Sequence, residues 1–537
     1  MNNNIIKYGL AIAASAVALA SCTKDFERFN TNPDAVQTVD VKSYITTMEL
    51  DAVIPCSDEG ANQFQRACNL MGDAFSGYLS PTQAFNGGSY TCTYDLNGTD
   101  YNNVPFSVAF TNVMPAWLNL KYAYENGNLD EGSWAIAEVI KVLTIQRVTD
   151  IYGPVPVSHF GEDSNPYESQ ETVYKNLFND IDKAIEVLES YAAASAGSNT
   201  TPPLGSADIA YAGNYASRSA DIVYAGNYAS WLKLANSEKL RMAMRVRFVE
   251  PELAKKAAEE AVESGVMSAA SDGAKLASTQ TIQVFNPLEE VWNAYTDTRM
   301  GATIDAYLNG YEDPRLPRYF KEATVDGAGY HGVRSGVKDM LKAHYLGLSV
   351  PNVAKNTPVI WMLASEVAFL QAEGALLGWN MGDTAENFYK KGVELSFQEN
   401  NVSGADAYLS SDKTPASFDD KNTGSKKNNA DKPSTVTPKW DNAASAEEKL
   451  EKIITQKWIA MYPNGQEAWS EFRRTGYPKV IPVVNNLSNG TIDTDIQVRR
   501  MTFPRSEYAN NAAAVKEATS LLGGADNGGT KLWWDKK

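Results

Sequence analysis

The sequence predicts a mainly α protein: a helical scaffold of tetratricopeptide-like helix pairs with long irregular loops. Four stretches carry that expectation. In 171–189 the apolar residues Tyr174, Leu177, Phe178, Ile181, Ala184, Ile185 and Leu188 recur at three- and four-residue spacing. Asp180, Asp182, Lys183 and Glu186 fill the other face, the pattern of a helix with one buried side. From Trp134 to Val148 the chain is apolar on nearly every side, which suits a helix buried among neighbours. Two further helices, 359–377 and 384–399, flank the turn from Gly378 to Asp383 and read as a pair, although no clean repeat of about 34 residues runs through the chain.

The N-terminus is a separate element. Lys7 precedes an apolar run from Tyr8 to Ala20 that closes on Leu19-Ala20-Ser21-Cys22. Residues 1–21 therefore read as a lipoprotein signal peptide, with Cys22 the acylated first residue after cleavage. The run is shorter than the roughly twenty apolar residues that span a bilayer. Residues 22–40 are polar, carry the turn Asn32-Pro33-Asp34, and read as a tether from the lipid to a domain over 41–537.

Inside that domain several segments are not helical in pattern. Residues 80–105 are rich in Asn, Gly and Tyr. Residues 401–441 are dominated by Ser, Asp, Asn and Lys and read as a solvated, mobile insertion. It ends where Ser445 and Glu448 form a capping box for the next helix. Ser206 to Ser217 recurs as Ser219 to Ser230 with Ala210 replaced by Val223. That spacing turns a helical face by about 140°, so the first copy reads as loop lengthened by duplication.

The 537 residues carry a net charge of −17, which disfavours nucleic acid and anionic lipid as partners because electrostatics dominate affinity for both. Beyond Cys22 the cysteines are Cys56, Cys68 and Cys92, which allow at most one internal bridge in any of three pairings. His159, His331 and His344 are the only histidines, and no HExxH or Cys/His cluster is present. Neither a metal site nor a cofactor is expected.

From residue 453 onward the chain resembles the SusD/RagB outer-membrane lipoproteins of the Bacteroidetes. The match runs from Ile453-Ile454-Thr455-Gln456-Lys457-Trp458 through Met461-Tyr462-Pro463-Asn464-Gly465 to Glu471-Phe472-Arg473-Arg474-Thr475-Gly476-Tyr477-Pro478. Other segments agree in order. They are Asn30-Thr31-Asn32-Pro33, Thr149-Asp150-Ile151-Tyr152-Gly153-Pro154, Asn236-Ser237-Glu238-Lys239-Leu240-Arg241, Asp313-Pro314-Arg315-Leu316-Pro317, Glu366 with Ala372-Glu373, and Arg499-Arg500-Met501-Thr502-Phe503-Pro504. The resemblance implies helix pairs carrying a smaller loop-rich lobe. It also implies a lid over a TonB-dependent transporter of the SusC type on the outer face of the outer membrane, and capture of glycans or, in some branches, peptides. Lys24-Asp25-Phe26-Glu27 is similar to the acidic export signal of such surface lipoproteins, interrupted by Phe26.

Where would a glycan bind? Sugar rings need flat apolar faces for their C–H groups and amides or carboxylates for their hydroxyls, and aromatic side chains give large contact area at low entropy cost. The 80–105 loop offers Phe85, Asn86, Tyr90, Tyr94, Asn97 and Tyr101. The second candidate, 285–299, offers Trp292 and Tyr295 with Phe285, Asn286, Asn293, Asp297 and Arg299. Arg473, Arg474, Arg499 and Arg500 have the forks to bind an anionic ligand, but such pairs beside Glu467 and Glu471 read more simply as structural ion pairs and loop anchors, and Trp231, Trp361, Trp458 and Trp469 as core. No residue is assigned a catalytic role. A surface glycoside hydrolase, the competing class, needs two carboxylates about 5 to 9.5 Å apart, for which Asp95, Asp100, Glu289 and Glu290 are the candidates.

Overall fold

The computed structural model describes residues 41–57, 60–85, 91–96, 100–196, 221–279, 282–325 and 329–537. The signal peptide, Cys22, the tether and the first copy of the duplicated segment lie outside these.

The helices of ten or more residues are α1 (Ser43–Ala52), α2 (Met114–Glu125), α3 (Glu131–Tyr152), α4 (Gln170–Ser195), α5 (Tyr228–Val246), α6 (Pro251–Ser264), α7 (Ala302–Tyr311), α8 (Ala364–Leu376), α9 (Ala385–Glu399), α10 (Ala446–Ala460), α11 (Gly465–Thr475) and α12 (Ala512–Leu521). Their starts follow the sequence. Asp130, Ser169, Asn227, Thr384, Ser445 and Asn464 each accept a hydrogen bond from a backbone N–H of the first turn, satisfying donors the helix itself cannot. Gly153 and Gly476, with φ of 86° and 78°, end α3 and α11 in a conformation that favours glycine.

Successive helices pack as pairs: α1 with α2, α2 with α3, α3 with α4, α4 with α5, and α5 with α6. The pair α8–α9 then lies beside α5 and α10. The scaffold is the helix-pair architecture expected. The predicted 359–377 helix begins later: Val359–Met362 is a strand, β4, paired with β2 (Ala274–Leu276). β-branched Val359 and Ile360 suit a pleated edge, and the pairing is a tertiary contact that no local pattern reveals.

Trp231, Trp361, Trp458 and Trp469 are each buried below 2 % exposure. Around them sits an ionic centre. Arg245 reaches Glu467 at 2.6 Å, Glu471 at 3.1 Å and Asp150 at 3.1 Å. Arg474 pairs with Glu373 and Glu471 at 2.6 Å each, and Arg241 reaches Glu366 at 3.0 Å. Arg499 pairs with Asp535 at 2.6 Å, and Arg500 with Asp526. The paired arginines are structural, tying α5, α8 and α11 to the C-terminal segment.

The 401–441 segment differs from the solvated insertion expected. Its few apolar residues are anchors: Tyr408, Phe418 and Val436 are buried, and Phe418 clusters with Ala302, Ala306 and Ile481. Tyr311 and Tyr389 donate from their hydroxyls to the carbonyls of Val436 and Pro438 at 3.0 and 2.6 Å. Composition hid this because three well-spaced anchors suffice to seat a polar strap. Cys56, Cys68 and Cys92 are free thiols. No helix among the described residues is long and apolar enough to cross a membrane.

Candidate functional site

The two loops singled out by their aromatic and amide content meet. Strand β1 (Leu79–Pro81) pairs antiparallel with β3 (Thr298–Met300), placing Pro81 opposite Thr298. Beyond the strands Thr82 N–H donates to the Asp297 carbonyl at 3.0 Å, and Thr82 Oγ1 to the Thr296 carbonyl at 2.9 Å. Thr296 holds φ at 56°, an outlier for a β-branched residue, and turns the chain between Tyr295 and Asp297.

Asp297 is the junction. Its carboxylate, 7 % exposed as a residue, accepts from Gln65 Nε2 at 2.8 Å, Gln83 Nε2 at 2.6 Å and Lys342 Nζ at 2.8 Å. Gln65 opens a wide-turned π-helical segment, Gln65–Asp73. That segment lies so close to α11 that a Cβ on Gly72 would meet the Gln466 backbone N at 2.6 Å. The face is thus bolted to the scaffold at one end and to the 342 loop at the other.

On this frame Phe85 and Tyr101 meet edge to face, with centroids 6.4 Å apart at 69°, and Arg66 lies 6.0 Å from the Tyr101 ring centre. Trp292 is fixed by its indole N–H, which donates to the Val353 carbonyl at 2.9 Å, while Lys321 Nζ sits 4.1 Å over its ring. On the same segment Phe285, 47 % exposed, carries Lys355 Nζ 4.2 Å over its ring. Phe85, Tyr101, Trp292 and Tyr295 are all half-buried, so each keeps an edge or face open while its other side is pinned. Such rigid, amphipathic rings beside amide and ammonium donors suit stacking on a sugar or another neutral ring, with hydrogen bonds at its rim.

Tyr94 is corrected. It lies 2 % exposed in the core with φ at 61°, and its hydroxyl has no hydrogen-bond partner, so its ring serves packing. Asn86, Tyr90 and Asn97 lie outside the described residues. Arg66, Gln83, Lys321 and Lys342 were not anticipated; lone basic and amide residues scattered along the chain give no signal in sequence. Of the carboxylates considered for hydrolysis, Asp100 pairs with Arg505 at 3.6 Å and Glu289 accepts from Asn293 Nδ2 at 2.7 Å. No group of three or more His, Cys, Asp or Glu side chains among the described residues could hold a metal ion.

Helix pairs that carry an aromatic face on two of their long connections define a mainly helical scaffold protein elaborated by loops. Residues 25–535 match the SusD-like family, described as Susd and RagB outer membrane lipoprotein. The chain belongs to that family and is an outer-membrane lipoprotein. A chitin-binding SusD homolog from Flavobacterium johnsoniae is 37 % identical, with a TM-score of 0.84 over 93 % of this chain and 99 % of its own. SusD homologs from Bacteroides uniformis and Bacteroides ovatus are 36 % and 34 % identical, with TM-scores of 0.82 and 0.81, again over 93 % of this chain and 100 % and 99 % of theirs. No curated protein matches the chain.

Proposed function

We propose that the protein is a cell-surface lipoprotein, anchored through Cys22, that binds an oligosaccharide or polysaccharide and delivers it to a TonB-dependent transporter of the SusC type, without catalysis. The observation that carries the binding reading is the convergence of two aromatic loops on Asp297. Phe85, Tyr101, Trp292 and Tyr295 form its described part, and Asn86, Tyr90 and Asn97 complete it in sequence. The chitin-binding relative supports a β-linked N-acetylhexosamine chain as the first ligand to test.

A receptor that hands its ligand onward holds it modestly, with Kd in the range of about micromolar to millimolar, about −8 to −4 kcal/mol. Calorimetry with chitohexaose, followed by a panel of neutral polysaccharides, tests the binding. Saturable binding without release of reducing ends is the expected result; hydrolysis would overturn the non-catalytic reading, and capture of peptides in place of every glycan would overturn the ligand class. Extraction in mild detergent from native membranes tests the transporter: a far larger integral protein should accompany the lipoprotein. The Cys22→Ala form should lose membrane attachment.

A further inference from the structure

A cavity that shares no lining residue with the loop face lies in the scaffold between α2, α3 and α4. Its volume is about 710 Å³, inside the range of roughly 300 to 1,000 Å³ common for ligand pockets. One wall is an aromatic stack: Tyr124 lies parallel to Trp134 with centroids 5.3 Å apart at 7°, and Trp134 lies 5.9 Å from Trp117. The polar floor is locked in place. Trp117 Nε1 donates to Glu138 Oε1 at 2.7 Å, and Lys141 Nζ donates to Glu138 Oε2 at 2.5 Å and Asp180 Oδ2 at 2.9 Å. Beyond the Lys141–Asp180 pair a second cavity of about 220 Å³ shares Trp117, Lys141 and Asp180 and adds the amides of Asn176 and Asn179.

Helix packing alone does not ask for this. Protein interiors fill to crystal-like density, and a stack of large rings beside an open trough is a poor way to close one. The chemistry of the walls narrows the occupant. Lysines at 121, 141 and 183 nearly balance acids at 131, 138, 180 and 186, so neither a polyanion nor a polycation is selected. What remains is an aromatic wall, with Trp134 packed between Tyr124 and Trp117 and Lys141 and Lys121 4.8 and 5.7 Å over the Trp117 ring. Beside it stand fixed carboxylates and, in the adjoining cavity, amides. The open side of that wall and its polar rim suit a neutral chain of rings carrying hydroxyl donors. We propose that this trough is a second ligand site, taking a neutral oligosaccharide of several sugar rings. It shares no residue with the loop face, so the two sites stand or fall separately.

The test uses the full protein and a Trp292→Ala background that disables the loop face. Chito-, malto-, cello-, xylo- and mannohexaose are titrated by calorimetry, with hydrogen exchange read on peptides covering 114–141 and 176–191. At least one hexaose should slow exchange in both segments of both proteins. Tyr124→Ala, and Ser190→Trp, which fills the trough from its exposed rim, should each weaken that binding about tenfold, the scale of one lost stacking partner. Their far-ultraviolet circular dichroism should be unchanged, as should the titration of the loop face when Trp292 is intact. The proposal is overturned if no hexaose protects these segments, or if protection and affinity survive both substitutions. Protection by a tryptic peptide mixture but by no hexaose would overturn the sugar assignment.

Discussion

Gln83 Nε2 stands 2.6 Å from Asp297 Oδ1, joining loops 214 residues apart in the chain. The same carboxylate accepts from Gln65 and Lys342, so one buried acid joins the two loops that carry the aromatic face and ties them to two further segments. A site on loops is only as rigid as such junctions make it.

Replacing Asp297 by Ala should therefore damage binding without removing any ring. Two amides and an ammonium lose their shared acceptor, a loss of about 1 to 3 kcal/mol for a buried group left unpaired. Calorimetry should show weakened glycan binding, and thermal unfolding a lowered Tm. Unchanged affinity in Asp297→Ala would mean that the face does not depend on this junction.

The rings themselves separate into two classes. Tyr101→Ala and Trp292→Ala should each cost binding on the order of 1 to 3 kcal/mol through lost apolar contact, with the fold intact by circular dichroism. Tyr94→Phe should leave binding untouched and hold or raise the Tm, because it deletes a buried hydroxyl that has no partner. A Tyr94→Phe protein that folds but no longer binds glycan would return Tyr94 to the site.

The contrast between those rings marks where sequence reading runs out. Helices α3 and α4 were legible because their apolar spacing is local, and the capping box at Ser445 and Glu448 was legible for the same reason, since Glu448 N–H donates to Ser445 Oγ at 3.1 Å. Strand β4 was not, because a partner 83 to 88 residues earlier decides it. Aromatic and amide composition pointed to both loops of the face. It could not show that Tyr94 turns inward, that Tyr408 and Phe418 pin the 401–441 strap, or that Gln65, Gln83 and Lys342 converge on Asp297. Each is a long-range contact made by residues whose neighbours in the chain carry no pattern.

Stability should peak at mildly acidic pH. Burial pushes the carboxyls of Asp73, Glu238 and Glu399 up to about 7 and that of Asp305 to about 6. Such a group binds its proton in the fold and releases it in the unfolded chain, so its contribution is whole below the ordinary carboxylate range and declines as pH rises towards 7. The opposing limb comes from Glu373, Glu467 and Glu471. Burial raises all three, but the arginines and the lysine around them outweigh it and hold them low, so their contribution is lost as pH falls below the ordinary carboxylate range. A Tm profile from pH 3 to 9 should show both limbs, and Asp73→Asn should flatten the upper one. An Asp73→Asn profile with an unchanged upper slope would remove Asp73 from that account.

The ionic centre makes the sharpest stability prediction. Glu373 holds Arg474 through two parallel contacts of 2.6 Å and Arg247 Nε at 2.7 Å, with its own side chain 1 % exposed. Gln at this position keeps the shape and removes the charge, taking the carboxylate from Arg247 and leaving Arg474 paired with Glu471 alone. Breaking a buried pair in this way costs about 3 to 5 kcal/mol, a large part of the stability of an ordinary domain. Urea unfolding of Glu373→Gln should show a clearly lowered midpoint. The exposed pair of Lys175 and Glu171, at 2.5 Å, supplies the control: Lys175→Ala should leave the midpoint where it is, because water screens a surface pair. Equal midpoints for Glu373→Gln and the parent would mean that packing, and not this charge cluster, holds α8 to α11.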